Sequence, residues 1–546
     1  MLTTTTQERE KAHYHSISWK ISLGLVLLTV FVILIRSRLL DFPLERDEGE
    51  YAYFGQLILQ GIPPYELAYN MKFPGTYLAY ALFLKVFGET TIGIHFGLLC
   101  LNLLTLFLLF QVGRRLFSPY AGLITAVAYA LLSYSPTVLG FAGHATHFVV
   151  AAAVGGLLLL LYALEQHSSA AYWSAGFCFG TAVLMKQPGI FFSAFAILAV
   201  LYSYRHQRYM TTLGSLFRLI AGMVVPFTLV LLWLSQTGAL EKFLFWTFDY
   251  AWHYTQQISP TSSEIFTHFK QQFIAVSQGF TSFWVIALLG LGWQAWQALA
   301  IKQERAVVLL FFTLCAFLSI TPGFYFRPHY FVTLLPAVAL LIGAFFNALA
   351  EVSRPKNMRV LSLILFAALS ATALKYHAEY FFRAHPIALS RIIYGQNPFI
   401  ESIVIAEFIK QHSVPGETIA VLGSEPQIYF YSRRHSATGY IYTYPLMEKH
   451  PYSLVMQKQM AREIGAAKPR FLVVVNVPTS WLRRPQSPTY LFDWLNDYVT
   501  RHPYRLAGVA DIAPSHQDTI YKWFVEAQNY QPKSKYFILV FWRANK

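Results

Sequence analysis

The chain is short of charge. Of its 546 residues, 13% are charged and 55% are hydrophobic, where soluble domains carry about 25% charged residues. That excludes an ordinary soluble enzyme and leaves a polytopic membrane protein. Cysteine is nearly missing. Cys100, Cys178 and Cys315 each lie in an apolar run, which excludes a disulfide framework and a thiolate metal site. The chain has no G-x-G-x-x-G turn and no P-loop, so no nucleotide site is assigned. It has no clear internal repeat and no paired broken helices at matching places in two halves, which counts against a secondary transporter. The first apolar run follows a polar stretch, Thr3 to Lys20, and has no small-residue cleavage site, so a cleaved signal peptide is not expected. The formal charge of +15 does not mark a nucleic-acid binder, because the basic residues are spread among short loops between apolar runs. Aromatic residues, at 17%, fit interface belts and a sugar-stacking surface equally.

What is there is a series of apolar runs. They predict about eleven membrane spans, over residues 17–36, 91–112, 119–139, 146–164, 170–185, 189–204, 214–236, 280–300, 306–321, 329–350 and 358–375. Spans five and six are separated only by Met185-Lys186-Gln187-Pro188-Gly189, and a kink there in place of a break would invert everything that follows. The basic residues arbitrate. With a cytoplasmic N-terminus, the inner loops hold Arg9, Lys11, Lys20, Arg114, Arg115, Arg205, Arg208, Arg218, Lys302, Arg305, Arg354, Lys356 and Arg359, and the short outer loops only Lys186 and Arg327. That positive-inside pattern favours the break. Residues 1–375 are then the membrane domain, with outer loops 37–90 and 237–279. Residues 376–546 form an extracytoplasmic domain without a membrane-length run. Within it, strands at Thr418–Leu422, Phe471–Val475 and Phe537–Phe541 alternate with helical stretches, which predicts a small α/β domain with a largely parallel sheet.

The densest chemistry lies beside the first span, in Arg46-Asp47-Glu48-Gly49-Glu50-Tyr51. Carboxylates next to a membrane are costly and therefore usually functional; the plain alternative is a solvated juxtamembrane loop. Tyr51, Phe54, Leu57 and Ile58 have helical spacing, and Gly61 with Pro63-Pro64-Tyr65 ends that helix. The helix is expected to lie flat in the interface. The loop runs on to Lys72, so it carries both acids and a base. The other outer hairpins offer His144 and His147, Lys186 and Gln187, Asp249, Trp252, His253 and Tyr254, and Tyr325, Arg327, His329 and Tyr330. Carboxylates with several cations at one membrane face suit proton removal from an acceptor hydroxyl and retention of a phosphate leaving group. Each has a plainer alternative. Lys186 fits a snorkelling residue, the i,i+3 pair His144 and His147 fits a polar helix start as well as half of a metal site, and Trp246, Trp252 and Tyr254 fit an interface belt. Arg327 lies between apolar spans with no acid nearby in sequence, which calls for an anion from elsewhere.

These segments resemble GT-C glycosyltransferases of the dolichyl-phosphate-mannose protein mannosyltransferase and aminoarabinose transferase type, family 39 and its bacterial relatives. The likeness rests on Asp47-Glu48-x-x-Tyr51, Gly61-x-Pro63-x-Tyr65 and Lys72-x-Pro74 in the first loop. It extends to Leu184-Met185-Lys186-Gln187-Pro188, to Arg327-Pro328-His329-Tyr330 with Leu334-Leu335-Pro336, and to Gly423-Ser424-Glu425-Pro426-Gln427-Ile428-Tyr429. The resemblance implies a polyprenyl-phosphate sugar donor and reaction at the non-cytoplasmic face, in bacteria the outer side of the inner membrane. It implies Asp47 as base with Glu48 beside it, and Lys72 and Arg327 on the donor phosphate with Lys186, Tyr65 and Tyr330 near them. His144, His147, Asp249, Trp252, His253 and His329 are left as candidates for sugar or acceptor. Met71 stands where some relatives carry a metal-binding carboxylate, so no cofactor is assigned and a divalent metal is left open. The expected partners are the lipid-linked donor, a lipid, glycan or protein acceptor, and membrane lipids, with no nucleic acid.

The competing function is a transporter or flippase of lipid-linked or anionic solutes, which should hold ionisable residues near the midplane of its spans. Here the span interiors are nearly free of charge. A scaffold that merely presents the C-terminal domain leaves Asp47 and Lys72 unexplained. A compartment reporter fused after Lys546 is expected to read as extracytoplasmic; a cytoplasmic signal would mean a miscounted span, first of all at Lys186.

Overall fold

A computed structural model describes residues 18–256, 260–352, 357–513 and 519–544. Arg9, Lys11, Arg354 and Lys356, which entered the orientation argument, lie outside the described residues. Each expected span is a helix, because a long apolar segment must satisfy its own backbone groups. The helices are Trp19–Ser37, Thr91–Leu116, Pro119–Ser133, Ala145–Gln166, Ser169–Met185, Ile190–Ser203, Tyr209–Gln236, Thr281–Leu299, Glu304–Leu318, Leu335–Val352 and Asn357–Tyr376. Among the described residues, five helices are long and apolar enough to cross a membrane, and a bent pair, Ser262–Ser277 with Thr281–Leu299, turns through 115°. Four more are apolar but shorter. At Lys186 the chain breaks into two helices, joined by a single 3-10 turn, Gln187–Gly189.

The chain divides into two compact units. The first takes in the described parts of 1–37, 98–228 and 262–383. Its helices approach through small residues. A Cβ on Gly176 would lie 2.1 Å from the Leu219 carbonyl oxygen, and one on Gly180 2.1 Å from that of Met223. From the facing helix, a Cβ on Gly222 would lie 2.3 Å from the Trp173 carbonyl oxygen. This is the small-x-x-x-small contact that lets apolar helices pack when no water is expelled.

The second unit takes in 38–97, 229–261 and the described parts of 384–546. Its sheet has the order β1-β2-β5-β3-β4, with β1 Ile419–Leu422, β2 Phe471–Asn476, β3 Tyr504–Asp511, β4 Ile520–Trp523 and β5 Phe537–Arg543. Only β1 and β2 are parallel; every other neighbouring pair is antiparallel. The expected largely parallel sheet is corrected on this point. The connection from β1 to β2 contains the helix Ser453–Ala467, which a parallel crossover needs. The connection from β3 to β4 is too short for one, and β5 inserts between β2 and β3 against both.

The first outer loop is part of this unit. Arg46–Leu59 is a helix, but Glu48 to Leu57 are all buried. It packs on Gly75–Phe87 and on Gln427–Ser432. It is thus enclosed by protein over most of its length, where a half-exposed helix was expected, and Glu48, Glu50 and Gln56 face protein while Asp47 keeps partial exposure. Gly49 makes this possible, since a Cβ there would lie 2.5 Å from Gln427 Cβ.

Gly176→Val is expected to destabilise the protein by about 1–3 kcal/mol through overpacking, read as a lower melting temperature in detergent. Gly292→Val, where a Cβ meets nothing within 4 Å, should melt close to wild type.

Candidate active site

Helix Arg46–Leu59 begins with a reciprocal cap. The Glu45 carboxylate accepts from the Glu48 N–H at 2.9 Å, and the Glu48 carboxylate accepts from the Glu45 N–H at 3.5 Å. A cap of this kind satisfies two orphan donors and places negative charge at the positive end of the helix dipole. Glu48 is fully buried and also meets His95 Nε2 at 3.0 Å, while His95 Nδ1 lies 2.9 Å from the Leu40 carbonyl. A carbonyl only accepts, so Nδ1 carries a hydrogen. The contact of Nε2 with Glu48 then needs a second proton, on the ring or on the carboxyl. Glu48 is committed to the cap and to His95.

Asp47 and Glu50 lie three residues apart and so share a helix face. Both accept from the Lys72 ammonium, Asp47 Oδ1 at 2.9 Å and Glu50 Oε2 at 2.6 Å. The ammonium also lies 4.6 Å from the Tyr51 ring centre and 5.6 Å from that of Tyr442, near enough for cation–π attraction. The Tyr77 hydroxyl donates to Glu50 Oε1 at 2.7 Å, and the Tyr442 hydroxyl to Asp47 Oδ1 at 3.0 Å. Glu50 is fully buried, whereas the Asp47 and Lys72 side chains are each 24% exposed. Burial works against the ammonium, but Asp47 and Glu50 outweigh it and hold Lys72 well above its usual range. Burial raises the Glu50 carboxyl, and Lys72 offsets only part of that rise.

The turn that delivers Lys72 is built for the purpose. After Pro63-Pro64, Tyr65 takes φ 70°, a left-handed conformation that is unfavourable for a bulky residue. Its buried hydroxyl donates to the Lys72 carbonyl at 2.7 Å. Tyr65 therefore braces the backbone of Lys72. On the other side of Asp47, Arg46 donates to the Ser424 carbonyl and pairs with Glu425 at 2.9 Å. Burial opposes the guanidinium, and Tyr444 and Glu425 overcome it and raise its pKa.

Asp249, Trp252 and His253 belong to the same unit, and Asp249 and His253 meet Tyr452. The Tyr452 hydroxyl donates to Asp249 Oδ2 at 3.0 Å, its ring centre lies 5.4 Å from that of His253, and His253 Nε2 is 3.8 Å from Asp249. Trp252 is 64% exposed. They sit on and just after a π-helical turn, Phe245–Tyr250, a feature often found at functional sites.

The remaining candidates lie in the first unit, and the structure strings most of them together. The His144 and His329 rings stack at 4.2 Å, His329 meets the Tyr330 ring edge-on at 4.8 Å, and the Lys186 ammonium lies 4.0 Å from the Tyr330 ring centre. Arg327 follows Tyr325, with its guanidinium carbon 5.2 Å from that ring centre. His147 is buried. Arg36, at the end of the first span, donates to the Gly140 and Phe141 carbonyls at 2.7 and 2.9 Å and so braces the turn before His144. Of the metal-capable side chains, the stacked histidines belong to this unit and the loop carboxylates to the other. In the second unit, the cation seated between Asp47 and Glu50 is the Lys72 ammonium.

Residues 72–234 match the family model described as dolichyl-phosphate-mannose-protein mannosyltransferase. Among solved structures, the chain is similar to ArnT from Cupriavidus metallidurans bound to undecaprenyl phosphate, at 14% identity and a TM-score of 0.60, over 95% of this chain and 97% of that one. The chain has the GT-C fold. The apo state of ArnT gives 16% identity and a TM-score of 0.59, over 95% and 98%. The GT-C likeness extends to the apo oligosaccharyltransferase of Archaeoglobus fulgidus, at 12% identity and a TM-score of 0.53, over 94% of this chain and 75% of that one. No curated protein sequence matches the chain. The segment matched by the family model begins at Lys72 and includes His144, His147 and Lys186. The GT-C resemblance drawn from the loop motifs is thus found again by both comparisons.

Sequence reasoning left Glu50, Tyr77, His95, Glu425 and Tyr442 without a role. Glu50 was visible as the third acid of the loop, and Tyr442 as one of the alternating tyrosines of Gly439-Tyr440-Ile441-Tyr442-Thr443-Tyr444. His95→Ala should cost on the order of 3 kcal/mol, because it leaves a buried acid without its partner. Adding Glu48→Gln should recover part of that in detergent denaturation. An equal loss in single and double variants would reduce His95 to a space-filler.

Proposed function

We propose that this protein is an inverting glycosyltransferase that moves a sugar from a polyprenyl-phosphate donor to an acceptor hydroxyl at the outer membrane face. Asp47 is the general base, and Lys72 and Arg327 take the donor phosphate. The observation that carries this reading is the division of labour among the loop acids. Glu48 is held by its cap and by His95, Glu50 is sealed in, and Asp47 alone of the three keeps partial exposure while touching a lysine. A carboxylate in that position can accept the hydroxyl proton as the new glycosidic bond forms. The electron pair of the breaking bond goes to the phosphate oxygen, which is already a good leaving group and needs no separate acid. Attack from the face opposite the phosphate inverts the anomeric centre. Cations placed where charge develops on the departing phosphate supply the electrostatic part of the catalysis. A protein of this fold described as bound to undecaprenyl phosphate supports a lipid phosphate as leaving group. The acceptor class is a hydroxyl on a lipid, glycan or protein, and residues 376–546 face the same side as the reaction.

The test is to incubate the purified protein with a panel of polyprenyl-phosphate sugars and to measure released polyprenyl phosphate. Lys72→Met and Arg327→Met should each lower turnover by a factor of roughly ten to a thousand, the scale of one preorganised electrostatic contact. Asp47→Asn should lose turnover and retain donor binding, while Glu48→Gln should be milder. Full activity in Asp47→Asn with a dead Glu48→Gln would transfer the base role to Glu48.

A further inference from the structure

We infer that Tyr442, from the C-terminal segment, is a positioning residue for Asp47, and that the turn Gly423–Pro426 fixes the distance between them. The inference rests on the reading of Asp47 as the base and adds to it a residue that the loop itself does not contain.

The two side chains are 395 residues apart in sequence and joined by a 3.0 Å hydrogen bond. What holds them is a closed circuit through one turn. Arg46, the neighbour of Asp47, donates to the Ser424 carbonyl and pairs with Glu425. Thr443, the neighbour of Tyr442, donates its N–H to the Ser424 hydroxyl oxygen at 3.0 Å. The Ser424 hydroxyl and the Thr443 hydroxyl both donate to the Ser480 carbonyl, at 2.6 and 2.8 Å, and the Ser480 hydroxyl donates to Glu425. Ser424, Glu425, Thr443 and Ser480 are all fully buried; Arg46 and Ser480 both donate to Glu425 Oε1, while its Oε2 has no hydrogen-bond partner among the described residues, and buried hydrogen bonds linked in this way strengthen one another. Gly423 is required for its shape, because a Cβ there would lie 2.4 Å from Glu425 Oε2 and 2.8 Å from Val475 Cβ. The Gly-Ser-Glu-Pro motif is therefore a fixture with one arm to each side of the Asp47–Tyr442 bond.

The bond has a chemical use. Lys72 and Tyr442 both donate to the same oxygen, Asp47 Oδ1. When Lys72 turns to a donor phosphate, Tyr442 still holds that oxygen and fixes the rotation of the carboxylate. Burial, then the nearby Asp47 charge, hold the Tyr442 phenol well above its ordinary range, so its proton stays in place to be donated. Within this unit the charged groups facing Asp47 are Lys72, Glu45 and Glu50, with Glu48 next to it on the helix, and the phenols facing it are Tyr51, Tyr80 and Tyr442. Like charges disfavour an ionised carboxylate and donors favour it. Loss of the Tyr442 hydroxyl should therefore make Asp47 hold its proton to a higher pH.

The test uses the full chain in detergent. Carbodiimide coupling, which consumes protonated carboxyls, is followed at Asp47 by peptide mass spectrometry across pH. Tyr442→Phe should move the midpoint up by about one pH unit, the scale of one hydrogen bond to a charged group. Tyr444→Phe should leave it in place. With an undecaprenyl-phosphate sugar that the wild type turns over, Tyr442→Phe should lower kcat about tenfold or more and move the acid limb upward, with the donor KM unchanged. In an Asp47→Asn background it should change nothing further. If Tyr442→Phe does not fold, Ser424→Ala cuts the tether to Thr443 and should give a smaller shift in the same direction. An unmoved labelling midpoint in folded Tyr442→Phe overturns the inference. A moved midpoint with no turnover of any polyprenyl-phosphate sugar keeps the coupling and overturns the glycosyl-transfer reading.

Discussion

One lysine side chain, Lys72, holds the second unit's polar centre together. Two carboxylates three residues apart on a buried helix would repel each other, and the ammonium between them removes that cost. The surrounding elements are disposed to keep it there. The strained backbone at Tyr65 fixes where Lys72 leaves the turn, Tyr77 saturates the second oxygen of Glu50, and the Tyr51 ring covers the ammonium. The arrangement is asymmetric: one acid is sealed and the other reaches the surface. A sealed partner cannot exchange its cation for water, so any anion that competes for Lys72 does so on the Asp47 side.

The parts of this design that a sequence displays are those set by local rules. Apolar length and the placement of arginine and lysine predicted about eleven membrane spans; the described residues contain a helix at each place, and five of these helices are long and apolar enough to cross a membrane. The break at Lys186 followed from charge alone. The first-loop acids and Lys72 were visible because they stand close together in sequence beside an apolar run. Hidden were the contacts made across long separations. Tyr442 and Glu425 reach the loop from almost four hundred residues away, and nothing in the local pattern of either ties it to Asp47 or Arg46. The helix Arg46–Leu59 was expected at an interface because its apolar spacing is that of a half-exposed helix; its glutamates and Gln56 are buried because partners elsewhere in the unit satisfy them. Strand partners were likewise invisible, since β5 pairs with β2 and β3 on grounds that only the finished sheet supplies.

The fold persists at 14% identity because it asks little of most positions. Helices in a bilayer need apolar length and, where they touch, small residues such as Gly176, Gly180 and Gly222. The stringent positions are few and polar. The carboxylates, cations and tyrosines around Lys72 are held by hydrogen bonds whose loss would strand a buried charge.

The circuit through Ser424 and Glu425 has a consequence for biosynthesis. A chain made from its N-terminus presents Arg46, Asp47 and Lys72 long before residue 442 exists. Local contacts form early and contacts of high sequence separation form late. The loop helix therefore waits, with Arg46 and Gly49 lacking their counterparts, until the last third of the polypeptide has been delivered and folded. The packing of this helix is thus complete only after residues through Ser480 have been made. A chain ended before Ser424 carries the loop motif with Gly49 and Arg46 lacking the surface they pack on.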